Sequence, residues 1–359
     1  MARAARRVAV PMSGPGRSDR LLWRRTLFDE ERPDVADSPH SDRVLKFSSA
    51  PSLEALPEAI DVAAATPPNP PQEIQQKFVG LSYEAAYSEA ETFVKVVDQM
   101  ATKHTGSGVA DAKHIIDFGS GWGRISRFLL AKTEPTHIHA LDVDPEMTTL
   151  VNVTLPGINA MTVDPFPPTV LGRGRFDLAV AFSVFSHLSG PAHEAWAKEF
   201  ARVVRPGGVV AITVLDDQFM GQVAGARAAV EAGEADDFAT SLATTFEDVD
   251  AARAGFDRGE IQFAGSGGGE VRTGDYYGWA AAPVEYVKRV WGSAGFSIVE
   301  WVPANVLFPQ ALVILVRGED AVDGDAEPVR DHATSGAVPV TRRIRSQVGR
   351  VLRRLGLRK

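Results

Sequence analysis

The segment Asp117–Gly123 constrains the fold more than any other feature, because it sets a carboxylate ahead of three alternating glycines. The apolar residues Ile115, Ile116 and Phe118 predict a short buried strand that leads into these glycines. Residues 124–132 then carry apolar side chains at the spacing of one helix face, so the glycines lie between a strand and a helix. Glycine can adopt positive φ and lets a ligand approach the backbone, while the N–H groups at the helix start point outward. The turn therefore predicts a nucleotide-cofactor site in an α/β fold.

The spacing of the glycines indicates which cofactor this turn suits. They are Gly119, Gly121 and Gly123, and the third comes one residue earlier than in the dinucleotide pattern G-x-G-x-x-G. A carboxylate beside a pyrophosphate is repelled, whereas beside an ammonium group it gains a charge-assisted hydrogen bond. Asp117 at the head of the turn therefore favours S-adenosylmethionine.

A second strand is predicted at residues 137–141 and ends in an acid. Asp142 follows that apolar run, where a carboxylate can accept hydrogen bonds from both hydroxyls of a ribose. Asp144 comes directly before Pro145, which suits the first position of a helix. We therefore predict that Asp142 binds the cofactor and that Asp144 is a helix N-cap.

Later segments follow the same order as the motifs of a known family. An apolar fourth strand at 176–183 leads into Ser-Val-Phe-Ser-His-Leu at 183–188, and Arg-Val-Val-Arg-Pro-Gly-Gly at 202–208 leads into a fifth strand at 209–214. Together with Asp-Phe-Gly-Ser-Gly-Trp-Gly-Arg at 117–124, these segments resemble the motifs of class I S-adenosylmethionine-dependent methyltransferases.

The resemblance implies a Rossmann-like fold, with a seven-stranded, mostly parallel sheet whose last strand is antiparallel, and flexible termini. It also implies a set of cofactor-binding residues at the carboxyl ends of the strands: Asp117, Gly119, Gly121, Gly123, Asp142, Val143, Asp164 and Ser183. Asp164 follows a predicted third strand, where family members place a residue near the adenine amino group. The alternative for Asp164, an exposed aspartate in a proline-stiffened loop, stays open.

His187 is the candidate general base, because it lies just beyond the fourth strand. Methyl transfer from a sulfonium needs mainly alignment of the acceptor, and a base only where the acceptor must lose a proton. Tyr277 is the second catalytic candidate, near the pocket by the family pattern. A structural hydrogen bond for His187 and simple packing for Tyr277 are the open alternatives.

The expected acceptor is a small molecule or a saccharide, of the kind met in surface-glycan or secondary-metabolite biosynthesis, and its reacting atom stays open. Aminopropyl transfer with the same cofactor would be expected to place an acid at position 182 or 183, and neither residue is acidic. The remaining alternative is a non-catalytic protein of the same fold, recruited to a membrane or a partner by its C-terminal segment.

The chain divides where its composition changes. Residues 1–71 form a basic and proline-rich extension that we expect to be poorly ordered, and the methyltransferase domain spans 72–317. Within that domain, residues 216–275 exceed what a simple crossover needs and are predicted to build the acceptor site. Residues 318–340 are expected to be a flexible linker. Residues 341–359 follow as a basic amphipathic tail.

Composition and charge limit the partners of this chain. It has 359 residues, 44% hydrophobic content and no cysteine, which excludes disulfides and thiolate metal sites; no metal site is predicted. Seven arginines lie within 1–25 and seven more within 341–359, although the net charge is -8. An acidic body with basic ends is not typical of a nucleic-acid-binding domain, so no nucleic-acid partner is expected. We expect a cytoplasmic protein, with the tail either bound peripherally to the inner face of a membrane or an acidic partner, or folded onto its own acidic body.

Overall fold

The structure is a computed structural model, and it describes residues 70, 72–79 and 82–318. Except for Pro70, the predicted N-terminal extension lies outside these residues. The same holds for the linker beyond Gly318 and for the whole basic tail.

Strands and helices largely alternate between residues 115 and 214, as predicted for an α/β domain. The helices are α1 (Gln72–Val79), α2 (Tyr83–Thr105), α3 (Arg124–Leu129), α4 (Pro145–Thr154), α5 (Gly190–Val203), α6 (Asp217–Ala232), α7 (Asp237–Ala243), α8 (Val249–Asp257) and α9 (Val284–Ser293). The strands are β1 (Ile115–Phe118), β2 (Ile138–Asp142), β3 (Asn159–Thr162), β4 (Phe176–Ala181), β5 (Val204–Val214), β6 (Gln262–Gly265), β7 (Gly278–Ala281), β8 (Phe296–Val302) and β9 (Ala311–Arg317).

Seven of these strands form one sheet in the order β3-β2-β1-β4-β5-β9-β8. The pairs among β1 to β5 are parallel, and β9 runs antiparallel to both of its neighbours. The predicted seven-stranded, mostly parallel Rossmann-like sheet with an antiparallel last strand is therefore confirmed. Strands β6 and β7 form a separate antiparallel hairpin.

Helices cover both faces of the sheet, which explains the nearly continuous apolar runs of its central strands. Successive residues of a strand point to opposite faces. Ile115 of β1 and Leu178 of β4 accordingly belong to one buried cluster, while their neighbours Ile116 and Ala179 belong to another. The core therefore consists of two layers separated by the sheet.

The strand order reverses between β1 and β4, so the carboxyl ends of these strands flank the crevice where α/β sheets bind ligands. Residues 216–275 form helices α6 to α8 and strand β6, which pairs with β7 beside this edge. The backbone of β7 contacts the segment after β4, because the Gly278 N–H donates to the His187 carbonyl at 2.9 Å. The predicted insertion thus lies at the carboxyl edge.

No helix in the described part of the chain is both long enough and apolar enough to cross a membrane.

Candidate functional site

The glycine turn between β1 and α3 has the backbone conformation that its sequence predicts. Gly119, Gly121 and Gly123 have φ of 72°, 51° and 84°, which L side chains rarely adopt. A Cβ on Gly119 would lie 2.3 Å from a methyl group of Val184, so this glycine permits close packing of the segment after β4. A Cβ on Gly121 would meet no atom within 4 Å, so the backbone at Gly121 is open to a ligand.

Asp117 lies at the carboxyl end of β1 and is 1% exposed. Burial raises the pKa of this carboxyl to about 6, and hydrogen bonds from Ser126 oppose that rise. The Ser126 hydroxyl donates to Asp117 Oδ2 at 2.6 Å. A cationic group beside this carboxylate would compensate for the solvation that burial removes.

Asp142 ends β2 and lies beside the glycine turn. Its Oδ2 accepts the Gly121 N–H at 2.8 Å, and its Oδ1 accepts the Asp144 N–H at 2.9 Å. Burial raises the pKa of Asp142, and the nearby Arg272 guanidinium opposes that rise. Asp144 accepts the Glu146 N–H at 2.9 Å, which confirms it as the N-cap of α4. Val143 lies half-buried between the two aspartates.

Arg272 is a site residue that the sequence does not indicate. It belongs to the segment between β6 and β7, and its Nη2 lies 2.9 Å from Asp142 Oδ1. Its Nη1 lies 3.3 Å from Asp144 Oδ2, and its guanidinium lies 5.9 Å from the ring centre of Tyr277. An arginine in a glycine-rich segment carries no local pattern that points to an acid 130 residues away.

Ser183 follows β4 with a positive φ of 58°, which is uncommon outside glycine. A closed cycle of three hydrogen bonds with Thr213 and Gln310 fixes its position. The Ser183 N–H donates to Thr213 Oγ1 at 2.7 Å, Thr213 Oγ1 donates to Gln310 Oε1 at 2.7 Å, and Gln310 Nε2 donates to Ser183 Oγ at 2.8 Å. This cycle joins the end of β4 to β5 and to the residue before β9. Because Ser183 Oγ accepts from Gln310, its own proton remains available for another acceptor.

His187 contacts the start of β7 through both its backbone and its ring. Its Nδ1 lies 2.7 Å from the Gly278 carbonyl oxygen, which can only accept, so Nδ1 carries the proton and Nε2 has the lone pair. The ring stacks on Tyr277, with centroids 5.1 Å apart and an interplanar angle of 18°. Burial lowers the pKa of His187. The structural hydrogen bond that the sequence left open therefore exists, and it selects the tautomer that a general base needs.

Tyr277 and its neighbour Tyr276 have different surroundings. Burial raises the pKa of Tyr277, and Arg272 opposes the rise. The Tyr276 hydroxyl donates to the Val271 carbonyl at 2.6 Å, and burial raises its pKa to about 12. Tyr276 therefore stabilises the segment that carries Arg272, whereas Tyr277 contacts the candidate base.

Asp164 is exposed in the loop after β3, as in the alternative that the sequence left open. The loop is anchored by a hydrogen bond of 2.9 Å from Trp196 Nε1 to the Pro165 carbonyl. Its Phe166 ring, 40% exposed, lies 6.1 Å from the Tyr276 ring. The role of Asp164 near adenine stays a prediction.

The structure thus brings Asp117, Asp142, Ser183 and His187 to the carboxyl edge of one sheet, and it adds Arg272. Across residues 70, 72–79 and 82–318, no group of three or more His, Asp or Glu side chains is placed to hold a metal ion.

Part of this edge lies in a segment that is similar to a known protein family. Residues 115–208, from the start of β1 into β5, match the family model described as a methyltransferase domain. The matched span includes the glycine turn, Asp142, Ser183 and His187. Residues 115–208 are therefore similar to a methyltransferase domain, and S-adenosylmethionine is the cofactor that this family uses.

Solved structures with the same kind of fold are similar over most of the domain. One is a Burkholderia thailandensis 1,6-didemethyltoxoflavin-N1-methyltransferase with bound S-adenosylhomocysteine, at 14% identity, covering 71% of this chain and 94% of its own, with a TM-score of 0.39. Another is Streptomyces venezuelae DesVI, at 15% identity, covering 68% and 98%, with a TM-score of 0.42. An S-adenosylmethionine-dependent methyltransferase from Clostridium acetobutylicum has 13% identity, covers 68% and 97%, and has a TM-score of 0.43. These similarities carry no conclusion about the acceptor. None of the curated proteins compared with the chain matches it.

Proposed function

We propose that the protein transfers the methyl group of S-adenosylmethionine to a hydroxyl group of a small-molecule or saccharide acceptor, in surface-glycan or secondary-metabolite biosynthesis. One observation carries the choice of a hydroxyl. The proton of His187 is committed to the Gly278 carbonyl through Nδ1, so Nε2 can take a proton from an acceptor at the carboxyl edge of β4.

The residues at this edge fit the cofactor. Asp142 would accept hydrogen bonds from the ribose hydroxyls, and the open backbone of Gly121 would lie against the nucleoside. Asp117 supplies a buried negative charge for the ammonium group, and the Ser183 hydroxyl supplies a donor. When bound, the cofactor provides an electrophilic methyl carbon with a good leaving group.

His187 supports proton removal because of its protonation state and its fixed orientation. Burial keeps its pKa below the ordinary range, so the ring is neutral at pH 7 and has a lone pair on Nε2. Stacking on Tyr277 and the bond to Gly278 fix the plane of the ring. A base with a fixed orientation loses little entropy when the acceptor docks.

Aromatic rings around His187 support a saccharide acceptor. Trp279 lies 5.1 Å from the His187 ring and stacks on Phe219 at 5.4 Å, and the half-buried Tyr277 stacks on His187. Aromatic faces bind the C–H faces of a sugar ring, while nearby polar groups fix its hydroxyls.

Calorimetric titration with S-adenosylmethionine and S-adenosylhomocysteine, with NADH as a control, tests the cofactor part of this proposal. We expect binding of the first two and none of NADH. An acceptor screen with nucleotide-linked and lipid-linked sugars then tests the acceptor. A methylated amine or carbon as the only product would refute transfer to a hydroxyl.

We also propose that residues 341–359, outside the described part of the chain, bind an anionic membrane surface. Seven arginines and Lys359, with no acid, support this role. Co-sedimentation with anionic liposomes should be abolished when these residues are removed, while S-adenosylhomocysteine affinity stays unchanged. If the full-length protein does not co-sediment, the tail has no membrane role.

A further inference from the structure

Arg272 forms a buried ion pair with Asp142, the acid assigned to the ribose. Their side chains are 9% and 4% exposed. The same guanidinium reaches Asp144, so one arginine bridges the end of β2 and the cap of α4.

This contact uses the hydrogen-bonding capacity that a ribose would need. Asp142 Oδ2 already accepts the Gly121 N–H, and Oδ1 accepts both the Asp144 N–H and Arg272 Nη2. A carboxylate has about four lone-pair positions, and the two backbone bonds are fixed by the turn and the cap. The bond to Arg272 is the one that comes from the segment between β6 and β7, outside both the glycine turn and the cap of α4.

We propose that Arg272 is a residue of the cofactor site that occupies the ribose position on Asp142 until the ribose hydroxyls displace it, and that residues 266–275 move with it as a lid. This inference rests on the proposed cofactor role of Asp142. The measured affinity for the cofactor then includes the free energy needed to break the contact between Arg272 and Asp142.

The segment that carries Arg272 is built to change conformation between fixed ends. Its ends are held by the pairing of Gly265 with Gly278 in the hairpin. Inside it, Gly267 and Gly269 have φ of 69° and 103°, and residues 273–275 are exposed. Glycines of this kind can absorb a large backbone rotation at low cost.

A closed lid also affects the candidate base. Arg272 lies over the ring of Tyr277, which stacks on His187, and its positive charge helps to lower the pKa of His187. Displacement of Arg272 by the ribose would remove that charge from beside His187.

Calorimetry with S-adenosylhomocysteine on two variants of the full chain tests the competition. Arg272→Met removes the charge and keeps the length of the side chain, and we expect it to bind about tenfold more tightly than the wild type, because the binding-competent state no longer has to open. The affinity of Arg272→Lys should lie between those of the wild type and Arg272→Met, because lysine keeps the positive charge but lacks the planar, two-pronged guanidinium. Arg205→Met removes an arginine–aspartate pair at the opposite edge of the sheet and should leave the affinity unchanged.

Hydrogen exchange on the wild-type protein gives an independent measurement. We expect saturating S-adenosylhomocysteine to increase exchange in residues 266–275, where the Gly268 N–H donates to the Arg272 carbonyl at 2.7 Å. Protection of this segment, or unchanged or weaker binding by Arg272→Met, would overturn the lid and make Arg272 a residue that holds the cofactor or only the fold. Binding to neither the wild type nor Arg272→Met would instead refute the proposed cofactor site.

Discussion

Two aspartates at opposite edges of the sheet have nearly the same partners and different electrostatic states. Asp142 at the carboxyl edge accepts two backbone N–H groups and pairs with Arg272. Asp177 at the amino edge accepts the N–H groups of Lys113 and His114, at 2.8 and 3.0 Å, and pairs with Arg205 at 2.7 Å.

The difference between the two lies in burial. For Asp177 burial pushes the pKa upward, but Arg205 and the backbone donors outweigh it, so the pKa lies below its ordinary value. For Asp142 the effect of burial exceeds that of a similar set of donors, so its pKa is raised. A pair that is open to solvent is a stable part of the scaffold, whereas a deeply buried one depends on every partner that it has. The edge proposed to bind the cofactor therefore has the carboxylate that can exchange partners.

The largest effect should come from the histidine at the carboxyl edge. His187→Asn removes the base and keeps a side chain that can donate to the Gly278 carbonyl, so we expect turnover of the acceptor to fall about a hundredfold or more. S-adenosylhomocysteine affinity should stay unchanged. His139→Phe, at the amino edge, is the matched control and should leave turnover intact. A parallel loss of affinity in His187→Asn would favour a structural role for His187.

Changing the two aspartates separately sharpens the contrast. Asp142→Asn should weaken S-adenosylhomocysteine binding more than about tenfold, because hydrogen bonds from ribose hydroxyls to a charged acceptor are lost. Asp177→Asn should lower the unfolding temperature and leave that affinity unchanged. Calorimetry and thermal unfolding on both variants check this. Equal affinities of Asp142→Asn and Asp177→Asn for S-adenosylhomocysteine would refute the assignment of Asp142 to the ribose.

A smaller effect is expected at the cycle of Ser183, Thr213 and Gln310. Gln310→Glu replaces the donor to Ser183 Oγ by an acceptor, so the Ser183 hydroxyl would turn toward position 310 and be lost to the cofactor. We expect about fivefold weaker S-adenosylhomocysteine binding, the effect of about one hydrogen bond. In a Ser183→Ala background the same change should have no effect. Additive losses would show that Gln310 acts independently of Ser183.

The smallest effect concerns stability at the amino edge. Burial lowers the pKa of His139 from its ordinary 6.5 to about 4, and neither of its ring nitrogens has a hydrogen-bond partner among the described residues. The folded state therefore binds fewer protons than the unfolded state, so this contribution is complete above pH 6.5 and is lost as the pH falls toward 4. Between pH 6.5 and about 4, the unfolding temperature of His139→Phe should therefore fall by a few degrees less than that of the wild type. A parallel fall in both proteins would place the acid sensitivity elsewhere.

Local signals account for the parts of the site that the sequence predicts. Positive φ at Gly119 and Gly121 follows from glycine itself, and the N-cap role of Asp144 follows from the proline after it. Position at the end of an apolar strand was enough to place Asp117 and Asp142 at one edge, because parallel strands end together. The same reasoning could not decide between a ligand and an exposed residue for Asp164, since a loop after a strand has no fixed direction.

The sequence by itself determined the glycine turn, the N-cap at Asp144 and the cofactor class, because each of these depends on residues within a few positions of one another. The tertiary structure decided which side chains meet. Arg272 reaches Asp142 over 130 positions, Gln310 reaches Ser183 over 127, and the Gly278 carbonyl fixes His187 over 91. Hydrogen bonds and ion pairs act only over a few ångströms. The tautomer of His187 and the partner of Asp142 are therefore decided only once the chain has folded.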